Sequence, residues 1–416
     1  VSIVRTSQTL IVALVGAATA CSWARGADPA GVVSERAFRV HNAGMLFDGH
    51  NDLPWRLREE GDVSFERIDI SRRLSSGQTD IPRLRAGGVK AQFWSVYIPS
   101  KQPNPARTVT EQIDLVRRMV VRYPNDFALA TSAEDVERIV KEGKIASLIG
   151  IEGGVAIEND LAQLRAFAAL GARYMTLTHN STLDWADAAN DEHRHHGLTV
   201  FGERVVREMN RLGMLVDIAH VSEETMAHVL RVSEAPVIAS HSSAYALCPS
   251  PRNVPDHILK RIATNGGVVM VNFYSGFIVA EAARVVNETR KELKAKHPDP
   301  ADYARAFEAW SKVYKIPRGT ISDVANHIDH IVKTAGIDHV GIGSDFDGIN
   351  AWPVGLEDVS CYPRLTEELL RRGYTEPEVH KILGANVLRA FREAGKVAAR
   401  LQKTTRPDVE QPARKP

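Results

Sequence analysis

The chain is short of cysteine, nearly free of net charge, and without a long apolar run. Only Cys21, Cys248 and Cys361 occur among 416 residues. If Cys21 is removed or acylated, at most one disulfide could join the remaining two, and nothing in the sequence demands it. Lys plus Arg number 52 against 51 for Asp plus Glu, a balance of +1 that removes the electrostatic case for a nucleic-acid partner. The apolar stretch Leu10–Ala20 is well below the ~20 residues a membrane-spanning helix needs. No glycine-rich dinucleotide fingerprint or phosphate loop follows the first strand candidate, which counts against the usual nucleotide-binding α/β folds. What is present, 44% hydrophobic and 25% charged residues, is ordinary for a globular enzyme.

The two ends stand apart from the rest. Arg5, the apolar run Leu10–Ala20 and the small-x-small pattern Ala18-Thr19-Ala20 read as an export segment over residues 1–27, predicting a periplasmic or otherwise extracytoplasmic protein. Cys21 offers lipid anchoring as an alternative to simple cleavage, although Ala18 stands where a lipobox favours Leu. Residues 401–416 lack apolar periodicity and read as a disordered tail.

Between the ends one grammar repeats: amphipathic helix, glycine stop, short apolar strand ending in polar residues. Leu161–Leu170 has helical spacing, Gly171 can cap it, and Tyr174–Thr178 is the strand. Ser132 with Asp135 offers a capping box for a helix before strand Ile145–Ile151. The full set of strands is Met45–Gly49, Ala91–Tyr97, Ile145–Ile151, Tyr174–Thr178, Leu215–Ala219, Pro236–Ser240, Val268–Phe273 and Val340–Ser344. Such runs suit strands buried on both faces, with helices between most of them. They predict an α/β fold, a (β/α)8 TIM-type barrel over residues 35–400, with a doubly wound open sheet as the alternative. The long connection Tyr274–Pro317 predicts a helical insertion near the mouth.

The residues at the strand ends then form a pattern. The first strand ends in His50 and Asp52, which alternate and so project together. Later strands end in Glu152, His179, His220, His241 and Asp345. In a barrel all of these face one mouth, where active sites of this fold lie. His50, Asp52, Glu152, His220 and His241 make a donor set that suits zinc and is large enough for two ions. A carboxylate such as Glu152 can bridge metals ~3.5–4 Å apart. Individually each residue has a plainer reading: a hydrogen-bonded core histidine, a turn-initiating Glu152, or a calcium-type turn at Asp345–Gly348. A rival cluster, His193–His196, reads as solvated loop, and His327 with His330 as the outer face of a helix. Cys248 reads as a small buried side chain.

These segments also resemble the membrane (renal) dipeptidase family of zinc peptidases, within the amidohydrolase-like barrels. The resemblance is carried by Asp48-Gly49-His50-Asn51-Asp52-Leu53-Pro54-Trp55, Gly150-Ile151-Glu152-Gly153-Gly154 and Tyr174–Asn180. It continues through Asp217–Ser222, Ser240–Ala244, Arg252–Asp256 and Gly343–Gly348, so it runs from about Gly44 to Phe391. It implies one zinc held by His50, Asp52 and Glu152 and a second by Glu152, His220 and His241. It further implies that His179 contacts the substrate carbonyl, that Arg252 takes a terminal carboxylate, and that Asp345 is the acid/base residue. Related amidohydrolases use the aspartate equivalent to Asp345 as a metal ligand. The activity implied is hydrolysis of dipeptides, L,D forms among them, by a hydroxide bridging the ions, in an exported homodimer. Two departures are visible: Val155 stands where relatives carry His, and Cys248 lacks the partner of the mammalian disulfides. Binuclear hydrolysis of another amide or lactone (a β-lactam or N-acyl amino acid) is the enzymatic alternative. A metal-binding protein without turnover is the non-enzymatic one.

Overall fold

Parallel strands buried on both faces need apolar side chains throughout, and that is how these runs are used. The computed structural model describes residues 33–409; the stretch expected to be an export segment, and Cys21 with it, lies outside them. The strands are β1 (Leu46–Asn51), β2 (Val89–Tyr97), β3 (Phe127–Leu129), β4 (Ile145–Glu152), β5 (Ala172–Thr176), β6 (Leu215–Asp217), β7 (Ile238–Ala239), β8 (Val268–Val271) and β9 (Val340–Ile342). β1 pairs with β2 and β9, and β2 pairs with β4, so eight parallel strands close into a barrel. All eight predicted strands are in it. The ninth, β3, pairs with the start of β4; at three residues it is too short to show a period of its own.

The barrel is filled rather than hollow. Phe47, Phe93, Leu148, Tyr174, Leu215, Ile238, Val268 and Met270, from seven strands, belong to one buried cluster that extends to Phe391 of the final helix. The Phe93 ring lies 5.3 Å from Phe47 and 4.8 Å from Tyr174, centroid to centroid. Gly150 makes room for this layer, because a Cβ there would lie 2.0 Å from the Tyr174 ring.

Helix stops follow the expected chemistry, with one variation. Gly171, Gly213 and Gly266 adopt positive φ and cap their helices in the left-handed region. At the other cap, Ser132 accepts from the Asp135 amide as expected, but the Asp135 carboxylate turns to Thr131 instead of Ser132. The insertion after β8 is helical: α1 (Ala280–Lys296) and α2 (Pro300–Val313) precede α3 (Ile321–Ala335). Among the described residues no helix is long and apolar enough to cross a membrane.

Two expectations need correcting. The tail predicted from residue 401 is helical through Thr404, and Asp408 is paired with Arg204 at 2.6 Å. His327 is not on an outer face: it is buried, its Nδ1 accepting from the Ala244 amide and its Nε2 donating to the Ile278 carbonyl. Helical spacing could not distinguish the two faces, because α3 packs beneath the loops that follow β7 and β8. The loop His193–His196 also turns out to be fastened, since the Asp187 carboxylate accepts from the Arg194, His195 and Gly197 amides.

Candidate active site

The strand ends bring the predicted ligands to one place. His50 Nε2 lies 3.3 Å from Asp52 Oδ2 and 3.4 Å from Glu152 Oε2. The other Glu152 oxygen faces His220 at 3.1 Å, His241 at 3.5 Å and His179 at 3.9 Å. One carboxylate thus presents its two oxygens to two sets of imidazoles, the arrangement a bridging ligand requires. The donor atoms converge in three overlapping groups: His50, Glu152 and His241; Glu152, His179 and His220; and His50, Asp52 and Asp345. His179 and Asp345 therefore sit among the ligand candidates, not beyond them.

The polar bookkeeping of the cluster fits a cation. His50 Nε2 is buried without a hydrogen-bond partner, as is His220 Nδ1. Nε2 of His220 faces Nε2 of His241 at 2.9 Å. Two imidazole nitrogens pointing at one another beside the Glu152 carboxylate are easily satisfied by positive charge between them. Burial works against a charged His50, but Tyr174, Glu152 and Asp52 outweigh it and hold its pKa well above the ordinary value. Burial, reinforced by Arg252, keeps His220 and His241 well below theirs. Burial raises Glu152 too, yet His50, His220 and His179 hold it well below the usual carboxylate range.

Outer residues fix these groups, and several escaped the sequence reading. Asp217 accepts from the Thr176 hydroxyl at 2.5 Å, the Ser240 hydroxyl at 2.6 Å and the amides of Ala219 and Ser240. His50 Nδ1 meets the Tyr174 hydroxyl at 2.8 Å. Asp48, fully buried, accepts from Ser344 Oγ and the Tyr362 hydroxyl, each at 2.7 Å, and from the Ser344 amide at 2.8 Å. That contact ties β1 to β9, the two strands that deliver His50 and Asp345. A signal was available: Asp48 and Asp217 are carboxylates inside apolar strands, two and three residues before a candidate ligand histidine.

Asp345 is held in a strained conformation, φ 66°, as is His220 at φ 67°. The Asp345 amide donates to the His50 carbonyl at 3.1 Å, and Asn272 Nδ2 donates to Asp345 Oδ2 at 2.9 Å. Burial raises its pKa well above the usual range, opposed by His50 and aided by Asp52 and Glu152.

Arg252 is 1% exposed. Its contacts are weak: Ser242 Oγ and the His241 carbonyl, both at 3.4 Å, with Nε unpartnered. The guanidinium stacks 5.1 Å from the Phe277 ring, and burial lowers its pKa to about 10. A buried guanidinium with unused donors is a ready receptor for a carboxylate. His179 stands edge-on to Tyr97, ring centroids 4.8 Å apart, and burial keeps it neutral with a pKa near 4.

Comparison with known proteins agrees with this geometry. Residues 34–405 match the family model described as membrane dipeptidase (peptidase family M19). Dipeptidase 3 of Mus musculus is 41% identical over 371 residues, covering 87% of this chain and 67% of its own length. The Rattus norvegicus form matches at the same identity, with 68% of its length covered. The crystal structure of the probable dipeptidase PvdM from Pseudomonas aeruginosa superposes with a TM-score of 0.77 at 27% identity, over 88% of this chain and 98% of that one. A metallo peptidase from Rhodobacter sphaeroides, liganded with a phosphinate mimic of the dipeptide L-Ala-D-Ala, superposes at 0.69 with 26% identity, over 84% and 99%.

Proposed function

The chain belongs to the membrane dipeptidase family of metallopeptidases, and from that premise we propose that it is a binuclear zinc dipeptidase that accepts L,D as well as L,L dipeptides. The observation that carries the reading is the divided Glu152 carboxylate, one oxygen toward His50 and the other toward His220 and His241. His50, Asp52 and Glu152 would hold one ion, and Glu152, His220 and His241 the second. Ions bound there supply Lewis acidity to the scissile carbonyl and lower the pKa of a nearby water from 15.7 toward about 7.

The chain's own residues do the rest. Asp345, oriented by Asn272, accepts a proton from the attacking water and returns it to the departing amine. His179, neutral, donates to the carbonyl oxygen as negative charge develops. Arg252 takes the free C-terminal carboxylate with its unused donors, which makes the last peptide bond the scissile one. Acceptance of a D-residue is supported by the ligand of the Rhodobacter neighbour.

The test is a panel of L,L and L,D dipeptides, with metal content measured before and after chelation. Hydrolysis that is lost with the metal and returns with zinc supports the proposal. Failure on every dipeptide, with cleavage of an N-acyl amino acid or a lactone instead, replaces it with the alternative hydrolase. In the same proposal the enzyme is exported and homodimeric, with the chain either cut by simple signal cleavage or lipidated at Cys21. Mass measurement of the mature N-terminus and sedimentation test these points.

A further inference from the structure

The inward face of α1 can be followed turn by turn across the barrel mouth. Ala282 and Val286 are buried in an apolar cluster with Tyr274 and Phe277, which follow β8. Lys294, two turns beyond Val286, pairs at 2.8 Å with Asp191, in the loop that follows β5 and His179. Residues four apart share a helix face, so Arg290, midway between Val286 and Lys294, lies on that same face. It is suspended between the ends of β8 and β5. Beneath that arc lie the residues that follow β5, β6 and β7: His179, His220, His241 and Arg252.

Arg290 has nothing to do there as a structural ion pair. It is half-buried, its Nε has no hydrogen-bond partner, and among the described residues it makes no salt bridge. Its guanidinium rests 5.0 Å from the Phe307 ring centroid, which leaves its donors free. Its charge is nevertheless felt in the site: burial lowers His179 and Arg252 chiefly, and Arg290 pushes both in the same direction. A second unpaired cation at the mouth is unfavourable unless something anionic arrives.

We propose that Arg290 is a specificity residue that pairs with an acidic side chain on the C-terminal residue of a dipeptide, a contact separate from the grip of Arg252 on the terminal carboxylate. Arg252 is fully buried and Arg290 only half so, so Arg290 meets the part of the substrate nearer the opening. The substrate's ammonium end is repelled by two guanidiniums, which assigns the acidic group to the other residue. The inference rests on the dipeptidase reading above.

The experiment compares kcat/KM for Ala-Glu and its neutral isostere Ala-Gln, using whichever stereoisomer of the second residue is turned over. Wild type, Arg290→Gln and Arg290→Lys are measured, with thermal melts to verify folding. Wild type is expected to favour Ala-Glu; Arg290→Gln should lose about tenfold or more on Ala-Glu and leave Ala-Gln unchanged, with Arg290→Lys between. Equal losses on both substrates, or no preference in wild type, overturn the role of Arg290 while the dipeptidase reading stands. No hydrolysis of either peptide, nor of any other in the panel, overturns both.

Discussion

Ser240 Oγ lies 2.7 Å from Nδ1 of His241, and a second bond gives that contact its direction. The same hydroxyl is 2.6 Å from the Asp217 carboxylate, which is already the acceptor for three other donors. Ser240 must therefore donate to Asp217 and accept from His241 Nδ1–H. The lone pair of His241 is then on Nε2, the atom that faces Glu152 and His220. Outer residues of this kind set both tautomer and orientation of a metal-ligating histidine.

Ser240→Ala removes the relay while adding no bulk. It should weaken retention of the divalent cation by about 10- to 100-fold with little change in fold, read by competition with a chromogenic chelator. Wild-type retention would show that His241 needs no such support.

Gly348 touches two carboxylates at once. A Cβ there would lie 2.2 Å from Asp52 Oδ2 and 2.8 Å from Asp345 Oδ1. Gly348→Ala should fold, displace both side chains, and lower metal occupancy and turnover together. A variant with full occupancy and normal rate would mean that these carboxylates have slack the geometry does not suggest.

Asp345→Asn separates acid/base work from ligation. If Asp345 moves the proton, the metal content is unchanged and kcat falls by about 10²–10⁴-fold. Loss of one metal equivalent by mass spectrometry would instead make it a ligand, as its place beside His50 and Asp52 permits.

His327 is a pH-dependent contribution to stability. Its Nδ1 accepts from a backbone amide that cannot turn away, so protonation sets N–H against N–H; burial lowers the pKa from 6.5 to about 4. Between those values the unfolded chain binds more protons than the folded one. The stability is complete above the unfolded value and drains as pH falls toward the folded one, on the order of 3 kcal/mol in all. His327→Gln should be less sensitive to pH over that interval in urea denaturation. An unchanged slope would assign the acid sensitivity to other groups.

His41 behaves alike, with its pKa also lowered to about 4 by burial, but nothing in its surroundings was legible beforehand. Its partners, Thr366 and the Gly87 carbonyl, are far away in the chain. The same is true of Asp48 and Tyr362, 314 positions apart. Local periodicity speaks to which face of a strand a residue occupies; it does not say which distant hydroxyl will meet it there.

What the chain determined by itself was the sequence of apolar runs, the glycine stops and the polar residue at each strand end. These follow from neighbour-to-neighbour backbone geometry and burial, and they were enough to place His50, Glu152, His220 and His241 at one mouth. Only closure of the barrel decided how they meet. It turned the two oxygens of Glu152 in different directions, gave His241 its tautomer through Asp217 and Ser240, and carried Arg290 across the opening on a helix. Those outcomes depend on how strands far apart in the chain are placed and angled against one another, which no local pattern encodes.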